Sequence, residues 1–255
     1  MRRAIIRVLR SSALRPVRNL IRPLAARWGV PVGAVLPFGY TCYVDLRSAL
    51  GRGLLVTGHH EPALEELIAA TMTSGGVFID VGANVGYFSL LALSRAGSGG
   101  EAHAFEFNPL MTRLLRITKQ KGGVDNLFIY PNALGDSEGL VGMVELAERN
   151  WNHVDLSPAG PATLRMCRLD SWESSFAAKR VELIKIDVEG MELKVLSGAR
   201  EILKAHKPVV VCEAVPENLA RFGGTPAALV EFMGGLGYSA RELGGAHDPN
   251  LVFTP

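Results

Sequence analysis

The chain has 255 residues, 48% of them hydrophobic, which is enough for one sizeable core. The formal net charge of +2 hides an asymmetry: eight arginines lie within Arg2–Arg27, no acid precedes Asp45, and the remaining 19 basic and 25 acidic residues make a body of −6. Such a body does not fit a nucleic-acid-binding domain, whose basic residues would spread over the fold, and three scattered cysteines, Cys42, Cys167 and Cys212, fit reduced cytoplasmic thiols rather than a disulfide framework or a zinc site.

Residues 1–27 keep helical spacing in Val17, Leu20, Ile21 and Leu24, interrupted by Pro16 and Pro23. Two readings stay open. Arg2–Arg27 rests on an anionic membrane surface, giving a cytoplasmic protein with peripheral membrane contact, or it is a docked or frayed helix with a solvated basic face. The arginines recur too often for a secretory signal, and no later segment has the ~18 apolar residues of a membrane span. We assign residues 1–40 to this basic arm and 41–255 to one domain.

Val30–Thr57 reads as short strands or a hairpin, and Glu61–Thr71 as a helix opened by Pro62. Val77–Val81 is an apolar run that suits a strand buried on both faces. Gly82-Ala83-Asn84-Val85-Gly86 then turns the chain into a helix from Tyr87. Ala102–Phe107 is a strand carrying Glu106 near its end, Pro109–Lys119 a helix, and Leu127–Tyr130 a third strand. Leu140–Leu169 breaks the rhythm and reads as an inserted hairpin around a polar loop. Val181–Asp187 is a strand, Met191–Leu203 a helix, Pro208–Cys212 a strand and Pro226–Leu236 a helix, and Gly237–Leu243 with Leu251–Phe253 closes as an antiparallel edge. Strands alternating with helices predict an α/β fold whose parallel sheet is covered on both faces.

Two constellations carry chemistry. Glu106 follows Gly82 by 24 residues, close to the ~20 of a dinucleotide-binding unit, and a carboxylate there can accept hydrogen bonds from both ribose hydroxyls. The turn is not G-x-G-x-x-G, however: Tyr87 stands at the third glycine, and Asp80 would repel phosphates. Asp80 suits a ligand bearing an ammonium group and a ribose, such as S-adenosyl-L-methionine. The second constellation is Asp187 and Glu189 at one strand end, where two acids imply solvent, a cation or a reacting group. For Glu189 the alternative is a cap on the following helix.

These segments resemble the FkbM family of S-adenosylmethionine-dependent methyltransferases. The matching stretches are HEPALEELI (60–68), VFIDVGANVGYFSLLAL (77–93), AFEFNP (104–109), NALGD (132–136), RLDSW (168–172), KIDVEGMELKVLSGA (185–199) and NLVFTP (250–255). The resemblance implies a class I methyltransferase fold, a Rossmann-like, seven-stranded, mostly parallel sheet, here with an inserted hairpin and an N-terminal extension. It also implies O-methylation of a hydroxyl on a sugar, polysaccharide or small metabolite. It would set Asp80, Gly82, Ala83, Asn84 and Gly86 around the methionine end, Glu106 on the ribose, Phe107, Ala133, Leu134 and Asp136 about the adenine, and Asp187 near the sulfonium. For the base that assists the hydroxyl, Asp187, Glu189, Glu213 and His153 are candidates. A divalent metal held by Asp187 and Glu189 stays open, although two carboxylates alone are a thin ligand set and no metal residue is assigned, and His59, His60 and His247 read as surface residues. N-methylation on the same fold, a non-catalytic cofactor-binding protein and a membrane-surface protein are the alternatives.

Overall fold

The computed structural model describes residues 29–146, 151–155, 163–176, 179–245 and 249–255. Arg2–Arg27 and His247 lie outside the described residues. A hairpin of β1 (Val32–Val35) and β2 (Thr41–Val44) leads into α1 (Ala49–Thr57) and α2 (Pro62–Thr71). Then come β3 (Val77–Val81), α3 (Tyr87–Ala96), β4 (Glu101–Phe105), α4 (Pro109–Gly122) and β5 (Leu127–Tyr130). A second group comprises β6 (Ala133–Leu134), β7 (Gly139–Leu146), β8 (Trp151–Asp155) and β9 (Thr163–Cys167). The chain ends with β10 (Val181–Ile186), α5 (Glu192–Ser197), α6 (Arg200–His206), β11 (Val209–Glu213), α7 (Pro216–Ala220), α8 (Pro226–Gly234), β12 (Ser239–Leu243) and β13 (Asn250–Thr254).

Seven strands form the main sheet in the order β12-β13-β11-β10-β3-β4-β5. Only β13 opposes its neighbours; β10, β11, β3, β4 and β5 run parallel. Strand order reverses between β3 and β10, and an open sheet binds ligands beyond the carboxyl ends at such a switch point. This is the class I methyltransferase architecture. All five residues of β3 are buried, because both sheet faces are covered. Phe78 joins a core with α2, α3, α4 and the first hairpin. Val77, Ile79 and Val81 face the other core, against α5, α6 and α8. Ala34 and Leu36 sit in the same core as Leu54 and Leu64, so the hairpin straddling residue 40 packs with the domain body.

Four local readings change. Ala49–Thr57 is helical rather than part of a strand pair: Ser48 Oγ accepts from Gly51 N–H at 2.9 Å, and Gly58 ends the helix in the left-handed region. The inserted hairpin is a four-stranded sheet, β6-β9-β7-β8, in which Trp151–Asp155 pairs with β7 although its stretch reads as polar loop. Met191–Leu203 is two short helices broken at Gly198, where a Cβ would lie 2.0 Å from Gly135 O, so the small sheet abuts the helix at that point. The short helix α7 was not expected. The three cysteines are free and buried.

Candidate active site

The turn after β3 is pinned on both sides. Gly82 and Ala83 donate their N–H groups to Phe105 O at 2.9 and 3.1 Å, which ties the turn to β4. On the other side the Gly82 Cα faces the chain leaving β10: a Cβ there would lie 1.8 Å from Asp187 O, and φ is +78°. Glycine is therefore required at 82 by both space and backbone conformation. Gly86 has a different task. Its missing Cβ would meet Leu115 Cδ2 at 2.4 Å, so it lets α4 pack under the start of α3.

Glu106, the first residue past β4, is buried beneath this turn. Its Oε2 accepts from Asn84 N–H and its Oε1 from Asn108 N–H, both at 2.7 Å. Burial nonetheless pushes the carboxyl up to about 7, against those two amides, with Asp80 and Asp187 adding to the rise. Beside Glu106 opens a cleft lined by Gly82, Phe107, Asn132, Ala133, Leu134 and Met191. It is mostly apolar, with one amide side chain at its wall.

Acids flank Val188, which also lines this cleft. Asp187, 34% exposed at its side chain, pairs through Oδ2 with Lys185 Nζ at 3.0 Å. Asn218 Nδ2 donates to Glu189 at 3.0 Å and to Glu213 at 3.4 Å, drawing the ends of β10 and β11 together. Burial, reinforced by Asp187 and the other nearby acids, raises Glu213 to about 8; burial and Asp187 also raise Glu189. Glu189 does not cap α5. Glu192 takes the turn's amides instead, accepting from Val188 and Gly190 N–H at 3.0 and 3.2 Å.

Lys185 is the hub of this side. It lies inside β10, opposite Asp80 in the sheet register, and is almost wholly buried. Burial works against its charge, but Asp187, Asp80 and Glu61 hold it above the usual lysine range. Asp80 is itself raised by burial, which outweighs Lys185 and the Ser89 hydroxyl that donates to it at 2.6 Å. Replacing Lys185 with methionine strands these acids. We expect Lys185→Met to cost about 3 kcal/mol at pH 8. The deficit should shrink as the pH falls, because Asp80, already raised by burial, takes up a proton more readily once Lys185 is gone; urea denaturation at pH 8 and pH 5 checks this.

The Methyltransferase FkbM domain family matches residues 80–240, most of the chain. The chain belongs to this family. It is 26% identical over 149 residues to "2-O-methyltransferase NoeI" of Sinorhizobium fredii, across 50% of this chain and 58% of that protein. The match thus spans little more than half of the relative. Among solved structures, it resembles an FkbM methyltransferase from Methylobacillus flagellatus with TM-score 0.49 and 13% identity, over 79% of this chain and 52% of that one. It also resembles a SAM-dependent O-methyltransferase from Thermotoga maritima with TM-score 0.48 and 14% identity, over 88% and 76%.

In this FkbM chain, Gly82, Phe107, Ala133 and Leu134 line the cleft; Glu106 stands between the lining residues Phe105 and Phe107 and holds the Asn84 amide, but neither Glu106 nor Asn84 is itself part of the lining. Asp80 sits behind the turn, its charge met by Lys185 within the protein. Asp136 points to Lys194 at 2.9 Å and does not line the cleft. Asp187, Glu189 and Glu213 come together as a group. His153 is on β8, opposite Val144, its side chain outside the described residues. Among the described residues no cluster of three metal-ligating side chains occurs. The sequence reading missed Lys185, Glu61, Asn218 and Glu192, and took Met191 as plain core although it walls the cleft. A lysine inside an apolar strand was the available signal, since a buried charge needs a partner. His60, read as surface, is partly exposed and also stacks on Phe88 with ring centroids 5.5 Å apart.

Proposed function

We propose that the chain transfers a methyl group from S-adenosylmethionine to a hydroxyl of a sugar, polysaccharide or small metabolite. The observation that carries this reading is an apolar cleft beside one glycine turn at the switch point of the sheet, with Val188 of its wall set between the acids Asp187 and Glu189. The cleft is narrow and would have to widen to take a flat adenine, against which Phe107, Leu134 and Met191 would offer apolar surface and Asn132 an amide. Glu106 keeps further lone pairs for two ribose hydroxyls. Asp187, Glu189 and Glu213 suit a cationic donor, which would in turn favour their ionised forms.

When bound, the cofactor supplies a methyl group already activated on a sulfonium. The protein's part is to orient the acceptor oxygen and exclude water, which can supply much of the rate. Asp187 fixes that side of the site through its pair with Lys185. Glu189 and Glu213 offer carboxyl oxygens to a hydroxyl-rich acceptor. The 2-O-methyltransferase relative supports O- over N-methylation. Contact of Arg2–Arg27 with an anionic membrane is a separate proposal for the same chain; no described helix is long and apolar enough to cross a bilayer.

The test is transfer of isotope-labelled methyl from the donor to a panel of methyl glycosides, read by mass spectrometry. Donor binding without labelling of any hydroxyl would overturn the reading. Asp187→Asn should slow turnover by about 10²-fold through misplacement of the acceptor, with the affinity for S-adenosylhomocysteine kept within a few-fold in calorimetry.

A further inference from the structure

We propose that His60, aligned by Glu61, is the catalytic residue that takes the proton of the acceptor hydroxyl, an inference that rests on the methyl transfer proposed above. His60 precedes α2, and its ring stacks on Phe88 with centroids 5.5 Å apart and planes at 28°. Phe88 also receives Lys185 Nζ at 5.4 Å from its centroid. One aromatic ring thus borders both the imidazole and the ammonium that holds Asp187.

The imidazole is fixed from several directions. His60 N–H donates to Glu65 Oε1 at 2.7 Å, which anchors the backbone. Nε2 lies 3.1 Å from Glu61 Oε1. Glu61 holds a left-handed φ of 50°, uncommon for a residue with a side chain, and its Oε2 accepts from Asn250 at 3.3 Å. A carboxylate at ion-pair distance from Nε2 favours a proton on that nitrogen and leaves Nδ1 as the base. Nδ1 has no hydrogen-bond partner among the described residues, and the side chain is 36% exposed.

The carboxyls of the acid edge are less suited to the task. Asp187 is committed to Lys185, and Glu189 and Glu213 share Asn218. In the proposed step the hydroxyl oxygen forms the new O–C bond to the methyl group. The C–S bond breaks with its electron pair left on sulfur, and the hydroxyl proton passes to Nδ1 of His60. Donor and acceptor supply every other atom.

The test compares wild type with His60→Gln, His60→Ala and Glu61→Gln, using the best methyl glycoside of the panel. We expect His60→Gln to lower kcat by about 10²–10⁴-fold, with KM for the glycoside and the calorimetric Kd for S-adenosylhomocysteine within about threefold. Free imidazole should restore part of the His60→Ala turnover, and Glu61→Gln should fall between. In wild type, the His60 ring signals in ¹⁵N NMR should move when the glycoside is added to the S-adenosylhomocysteine complex. Turnover within fivefold of wild type in His60→Gln would overturn the proposal. So would a His60→Ala loss that imidazole leaves unrestored, which would assign the ring to packing on Phe88. Donor binding by wild type without any transfer is a separate result that would remove the parent function and this step with it.

Discussion

Gly82→Ala is expected to cost about 3–6 kcal/mol, a large part of the ~5–15 kcal/mol that holds a domain together. Two penalties combine. Alanine at φ +78° pays roughly 1–2 kcal/mol for the left-handed conformation. The new methyl also meets Asp187 O at 1.8 Å, and that obstacle is backbone rather than a flexible side chain. Relief requires parting the ends of β3 and β10, which strains the Asp187 N–H to Val81 O bond at 3.0 Å and the seating of Lys185. Gly75→Ala is the control: its φ is +84°, but nothing lies within 4 Å of the added Cβ. That variant should lose only the conformational penalty, melt a few degrees below wild type, and bind S-adenosylhomocysteine normally. Gly82→Ala should bind none and unfold at far lower urea. Equal stability of the two variants would mean that the two turns do not touch.

Gly82 also shows what the sequence can and cannot express. The strand, turn and helix from Val77 to Leu93 are legible because their cause is local. An apolar run is followed by glycines that must take positive φ, and then by helical spacing. Glu106 is legible because a strand end beside such a turn has few uses for a carboxylate. The reason alanine fails at 82 is not local: the obstructing carbonyl comes from a residue more than a hundred positions later. Lys185 is hidden in the same way. Within VELIKID it reads as a polar interruption of a core strand, and only the register opposite Asp80 shows what its charge answers. The break at Gly198 depends on Gly135, and the strand at Trp151–Asp155 on pairing with β7. Neither cause lies within the segment it shapes. Ser48 and Gly58, which bracket α1, were local signals that strand-like alternation around Tyr43 obscured.

Glu106→Gln is expected to weaken S-adenosylhomocysteine binding by about 10²-fold or more, equivalent to losing two charge-assisted hydrogen bonds. The amide is a poor substitute even before ligand arrives. Glu106 presents one oxygen to Asn84 N–H and the other to Asn108 N–H. A glutamine must turn its NH₂ toward one of these donors and leave it unsatisfied. The pH dependence makes the test sharper. In the ligand-free protein Glu106 titrates near 7, raised from 4.5 chiefly by burial. The folded protein therefore binds a proton that the unfolded chain has released between those values. The stability this contributes is complete below 4.5 and is lost as pH rises through 7. Ligand binding runs the opposite way. Two ribose hydroxyls donate to the ionised form, so binding releases a proton below pH 7. Affinity should climb about tenfold from pH 6 to pH 8 and then level off. Calorimetry in buffers of different ionisation enthalpy would count that proton directly. In Glu106→Gln the climb should flatten, while any contribution from Glu192 or Glu213, which titrate near 7 and 8, would persist. A wild-type affinity that stays level from pH 6 to 8 would separate Glu106 from the ribose and leave it a buried fastener of the glycine turn.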